Sequence, residues 1–209
     1  MNRTFLLAGF LSALALAACT PGADEPLDET PGTPEAAETP PPATQQADAS
    51  ALTPEGWGDL KIGMSRADVE AIVGPTATPD AMPASDDINA CDDYQPQRAP
   101  LGLFVMLEDN ILTRITLAEL NDVKTADGFG LGDPADKVKA FYGARAVVTP
   151  HKYMDHPAEY ITVWSGGPRS ESYVEEPDAR GLVYEIDGSG NVGAIHAGGP
   201  SIQYVEGCA

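Results

Sequence analysis

Two stretches of the chain open in the same way, and this repetition constrains the fold more than any other feature. "LKIGMSRADVEAIVG" runs from Leu60 to Gly74 and "FGLGDPADKVKAFYG" from Phe129 to Gly143. In the first, Ser65 followed by Asp68 has the form of a capping box. Val69, Ile72 and Val73 come next at helical spacing, and Gly74-Pro75 is the stop. In the second, Asp133 is placed to cap, Pro134 suits the first helical position and Asp136 complements the positive end of the helix dipole. Val138, Phe141 and Tyr142 form its apolar face, and Gly143 ends it. Each stretch predicts a short amphipathic helix.

Each helix is followed, after an irregular segment, by a hairpin pattern. "GLFVMLEDNILTRITLAE" from Gly102 reads as two strands turning at Asp109-Asn110, and "GLVYEIDGSGNVGAIHAGG" from Gly181 as two strands turning between Asp187 and Gly190. "AEYITVWSG", Ala158 to Gly166, adds a strand in the second half. Leu103, Val105 and Leu107 alternate with Phe104, Met106 and Glu108, so neither face is cleanly polar. The sheet is expected to be covered on one side and partly on the other. The pattern recurs at roughly 70 to 80 residues, as a duplicated unit would. The expected class is α+β, with two similar units at about 54–127 and 128–209, each a short helix plus antiparallel β-sheet.

The start of the chain predicts an address. Arg3 precedes "FLLAGFLSALALAA", an apolar run too short to cross a bilayer, so residues 1–18 read as a secretory signal. Leu16-Ala17-Ala18-Cys19 resembles the bacterial lipobox. That resemblance implies a diacylglycerol thioether on Cys19, cleavage just before it and an acylated new amino terminus. Several acyl chains anchor firmly, because each buried CH₂ contributes about 0.8 kcal/mol. Thr20, where an aspartate favours inner-membrane retention in enterobacterial lipoproteins, implies the periplasmic face of the outer membrane. An ordinary signal peptide with Cys19 near its cleavage site is the alternative.

From Cys19 to Thr53 the composition changes to seven prolines and seven acidic residues, with no Lys or Arg and little that is large and apolar. Such a segment cannot bury enough surface to offset ordering entropy, and it reads as an extended acidic tether. Its proline tract could also dock a partner, but "TPPPA" lacks basic or aromatic neighbours to fix a register. The formal charge is −20; setting aside Arg3 and the seven tether acids leaves −14 on residues 54–209. A domain this acidic repels phosphate backbones, which disfavours nucleic acid and favours basic or cation-mediated partners. Solubility alone would also account for the charge.

"IGMSRADVEAIVGPTATP" resembles the opening motif of the SmpA/OmlA (BamE-type) outer-membrane lipoproteins: an Ile-Gly-Met-Ser/Thr start, a short helix and a Gly-x-Pro-like stop. The duplicated form is similar to the beta-lactamase inhibitor proteins, whose tandem halves share a helix-then-sheet unit. The match covers about 17 residues in the first copy; in the second, Gly132-Asp133 stands where the first has Gly63-Met64. The resemblance implies a lipoprotein whose sheet or helix pair binds another envelope protein, inhibitor-like or as an assembly accessory, without catalysis or cofactor.

One cluster carries candidate chemistry. "TPHKYMDHPAEY" gathers His151, Lys152, Tyr153, His156 and Glu159, which could hold a small ligand or a metal, or serve a hydrolase. Pro150 and Pro157 make it a loop or strand edge, and neither helical spacing nor a cysteine supports a metal site. His196, on a predicted strand, reads as a core or rim residue. "SDDINACDDY" is rich in aspartate but does not fit an EF-hand loop, and reads as a solvated acidic loop. No nucleophile elbow, P-loop or paired-cysteine redox motif is present, so no catalytic residue is assigned. With Cys19 lipidated in an oxidising compartment, Cys91 and Cys208 are expected to pair, and the tail "SIQYVEGCA" to add an edge strand. Two free thiols are the alternative.

Overall fold

A computed structural model of the protein describes residues 50–82, 85–119, 121–169 and 173–208. The signal segment, Cys19 and the tether up to residue 49 lie outside the described residues. Three two-residue strands come first: β1 (Leu52–Thr53), β2 (Gly56–Trp57) and β3 (Leu60–Lys61), paired in that order. Helix α1 (Arg66–Val73) follows, then β4 (Cys91–Tyr94), β5 (Leu103–Glu108) and β6 (Ile111–Ala118). Helix α2 (Ala135–Tyr142) leads into β7 (Ala146–Pro150), β8 (Glu159–Trp164), β9 (Gly181–Ile186) and β10 (Val192–Gly198). The last seven strands form one antiparallel sheet in the order β4-β5-β6-β10-β9-β8-β7. The class is α+β, as the sequence predicts.

Local chemistry explains the elements. The Ser65 hydroxyl caps α1 by accepting from the Asp68 amide at 3.3 Å. The β5–β6 turn places Asp109 at φ 51° and Asn110 at φ 63°, the two positive angles of a type I′ hairpin. In the β9–β10 turn the Asp187 carboxylate accepts from the amides of Ser189 and Asn191. Both helix starts are tied to their hairpins by the same three backbone bonds. Gly63 donates to Leu112, Leu112 to Met64 and Arg66 to Asn110; Gly132 donates to Val192, Val192 to Asp133 and Ala135 to Gly190. The halves nevertheless do not stand apart. Strands β6 and β10 pair at the centre of a continuous sheet, and both helices bury into one apolar cluster.

That cluster occupies one face of the sheet. Alternation brings Val105, Ile115, Ile161, Leu182, Tyr184 and Ile195 against Val69 and Val73 of α1 and Val138 and Tyr142 of α2. Each fully buried aliphatic side chain contributes on the order of 1.5–3 kcal/mol. The Tyr142 hydroxyl meets Asp127 at 2.6 Å and Tyr184 at 2.8 Å, so this polar atom enters the core with its hydrogen bonds satisfied.

Several expectations need correction. Asp133 is not the cap of α2: Pro134 holds that position, and the Asp133 carboxylate instead accepts from the Gly130 amide. Leu52 and Thr53, grouped with the tether by composition, form β1, and Leu52 is fully buried. The aspartates of the acidic loop partly form β4, where Asp92 pairs with Arg66 and Asp93 with Arg114, each at 2.7 Å. Residues 146–150 form β7, an end strand of the sheet, so the His151 cluster starts at a strand edge, one of the two placements expected of it. The tail makes a 3₁₀ turn over Pro200–Gln203 instead of an edge strand, because its contacts are side chains and a disulfide rather than a ladder.

Candidate binding pocket on the second sheet face

The period of two that buries one face points the intervening residues to the other. There Val147 and Thr149 of β7, Tyr160, Thr162 and Trp164 of β8, Val183 and Glu185 of β9 and His196 of β10 line a cavity of about 280 Å³. Tyr173, Val174 and the segment Ile202–Val205 wall it from above. A small apolar cluster of Trp164, Val174, Ala179, Val183 and Ile202 closes one end. A Cβ at Gly181 would lie 2.8 Å from both the Trp164 ring and the Val163 carbonyl oxygen of β8 and 3.2 Å from Ile202, so glycine lets β8 and the roof close in on this position.

The roof is pinned by polar groups of the sheet and of neighbouring loops. Buried Arg114 donates to the carbonyls of Tyr204 (3.0 Å) and Ser201 (3.4 Å) and to Asp93 (2.7 Å). The Gln203 side chain donates to the Val174 carbonyl and accepts from its amide, both at 2.9 Å. Cys91 and Cys208 form the expected disulfide, with Cα atoms 5.5 Å apart, and fasten the tail to β4.

Glu185 forms the floor between two histidines. His151 reaches one of its oxygens at 3.1 Å and His196 the other at 3.4 Å. The His151 Nδ1 accepts from the amides of Tyr153 and Met154, which fixes its proton on Nε2 toward the carboxylate. His196 follows the same logic: its Nε2 faces an acceptor-only carboxylate, and its Nδ1 accepts from the Thr116 hydroxyl at 2.9 Å. The His196 hydrogen bond, against burial and with help from His151, holds the Glu185 carboxyl at about 2. Burial, opposed by the Glu185 bond, pushes His196 below its ordinary value. The arrangement is an ionised carboxylate that accepts one hydrogen bond from each of two imidazoles.

The structure disperses the residues that the sequence brought together. His151 is buried beneath Glu185 and stacked on Tyr160 at 4.7 Å. Lys152 reaches Glu206 at 3.4 Å on the cavity rim. Tyr153 and His156 are exposed, and Glu159 pairs with Lys139 of α2 at 2.9 Å. Among the described residues no group of three or more His, Cys, Asp or Glu side chains is arranged for a metal ion. Thr116, His196 and Glu185 have the order hydroxyl, imidazole, carboxylate, but Thr116 is 9% exposed and does not line the cavity, so that hydroxyl does not face the space above Glu185. Of the polar residues that line it, Glu185 and His196 stand between apolar neighbours on β9 and β10, and that period of two was the signal in the sequence that sets them opposite the core.

No family model, curated protein or solved structure matches the chain. No helix among the described residues is long and apolar enough to cross a membrane.

Proposed function

We propose that the chain is a lipid-anchored, non-catalytic binding protein of the bacterial cell envelope and that the cavity on the β7–β10 face is its binding site. The observation that carries this reading is the cavity itself: about 280 Å³, with aromatic walls, a few converging polar groups and a roof held by a disulfide, as a small-molecule site requires. The envelope address rests on Leu16-Ala17-Ala18-Cys19, on the acidic tether and on a disulfide suited to an oxidising compartment. Thr20 favours the periplasmic face of the outer membrane. Mass spectrometry of the mature amino terminus is expected to find Cys19 carrying a diacylglycerol thioether and an acylated amino group, and Cys19→Ala to leave the membrane fraction. An unmodified terminus beginning elsewhere overturns the anchor.

The pocket is tested by filling it. Small molecules that raise the melting temperature of the wild type are expected to lose that effect in Thr162→Trp, whose added ring occupies the cavity. Equal shifts in both proteins, or none in either, overturn the reading. A second occupant class, another envelope protein, is favoured by β7, the end strand of the sheet, where Val148 is 44% and nearby Tyr153 60% exposed. A photocrosslinker at Val148 that captures the same single protein from intact envelopes, and not from detergent extracts lacking it, supports that alternative.

A further inference from the structure

The pocket has an electrostatic asymmetry that selects its ligand. Lys152 and Arg169 line it, and each already has a counter-anion: Lys152 with Glu206 at 3.4 Å and Arg169 with Glu176 at 3.0 Å. Arg169 also lies over the Trp164 ring at 5.8 Å. Arg114, behind His196, is bound to Asp93. Glu185 is different. Its two partners are imidazoles that donate one hydrogen bond each through Nε2, which leaves lone pairs on both oxygens, and among the described residues no Lys or Arg forms an ion pair with it. The Glu185 side chain is 30% exposed, and it lines the cavity. A partly buried charge in this state is stabilised most by a cation with N–H donors.

The walls fit the same kind of guest. Tyr160, Trp164, Tyr173 and Tyr204 line the same cavity as Glu185, and aromatic rings attract organic cations. At about 30 Å³ for each water-sized group, the cavity holds roughly nine or ten non-hydrogen atoms. From this geometry we infer that the pocket binds a small monocationic organic amine, its ammonium on Glu185 and its apolar body against Trp164 and the tyrosines. Inorganic cations fit less well, since among the described residues no three His, Cys, Asp or Glu side chains are arranged to hold a metal ion. Carboxylate-bearing ligands are repelled by the floor.

This inference rests on the cavity being a binding site, and the experiment separates the two. Phenethylamine, 2-phenylethanol and phenylacetate share a ring and differ in charge; their binding is measured by calorimetry on wild type, Thr162→Trp and Glu185→Gln. The expected result is that phenethylamine binds wild type at least tenfold more tightly than 2-phenylethanol, that phenylacetate does not bind, and that Glu185→Gln removes the tenfold preference. If the amine and the alcohol bind wild type equally and Thr162→Trp abolishes both, the pocket stands and amine selection is overturned. Binding of phenylacetate at least as tight as that of the amine also overturns it. If no probe binds wild type, or Thr162→Trp does not diminish binding, both readings fall. The comparison of the three probes on wild type holds whether or not Glu185→Gln folds.

Discussion

The two faces of one sheet obey the same alternation and arrive at opposite chemistry. On the helix side every strand contributes apolar residues, two helices cover them, and the Tyr142 hydroxyl that enters is paired within the core. On the other side the same strands present Thr162, Glu185 and His196, and the cover is a short 3₁₀ turn, a loop and a tail. A helix brings its own hydrogen bonds and an apolar stripe, so it can seal a face by packing. A tail without a ladder has to be fastened at points: Arg114 to two carbonyls, Gln203 to Val174, and Cys208 to Cys91. A cover fastened at points leaves a gap between its attachments. The face that folds the chain and the face that leaves room for a ligand are thus distinguished by what covers them.

Substitutions break this comparison with graded effect. The largest belongs to the disulfide, which closes a span of 117 residues. Cys91→Ser/Cys208→Ser is expected to lower stability by about 4–5 kcal/mol, chiefly by freeing the unfolded chain, as read from urea midpoints. On the helix face, Ile161→Ala is expected to cost about 2–5 kcal/mol while leaving ligand affinity in the remaining folded protein unchanged. On the pocket face, Gly181→Ala drives a methyl into Trp164 and Ile202 and is expected to cost about 1–3 kcal/mol. Unlike Ile161→Ala, it is expected to change affinity as well, because the roof must shift.

The smallest effect is on pH dependence and again separates the faces. His196 has a folded value below its ordinary 6.5, so the unfolded chain takes up the proton first and stability falls as the pH drops below 6.5. Glu185 has a folded value of about 2 against an ordinary 4.5, so its contribution is complete above pH 4.5 and is lost as the pH falls toward 2. Thr116, Arg114 and Asp93 surround His196, and His151 and Tyr160 lie beside Glu185. Denaturation midpoints followed downward from pH 7 are expected to decline in wild type and to flatten over the upper window in His196→Gln. An unchanged slope in that variant contradicts the assignment.

The helix face was legible in the sequence because it is periodic. Val69, Ile72 and Val73, the alternating Leu103, Val105 and Leu107, and the Asp109-Asn110 turn each state a local rule that the fold keeps. The second face was less legible, because its parts come from distant places. Glu185 meets His151 across 34 residues, and Thr116 meets His196 across 80. The "TPHKYMDHPAEY" cluster misleads by proximity in sequence: β7 and β8 run antiparallel through it, which buries His151 under Glu185 and sends Glu159 to Lys139. Strand β4 was hidden by its aspartates, whose charges are met by Arg66 and Arg114 from other elements.

Methyl-labelled spectra of the protein titrated with phenethylamine test the central claim most directly, because isoleucine and valine methyls mark both faces. The account predicts shifts at Val147, Val174, Val183, Ile202 and Val205, with Val69, Val138, Ile161, Ile186 and Ile195 unmoved. Shifts concentrated on the second set, or spread equally over both, would contradict it.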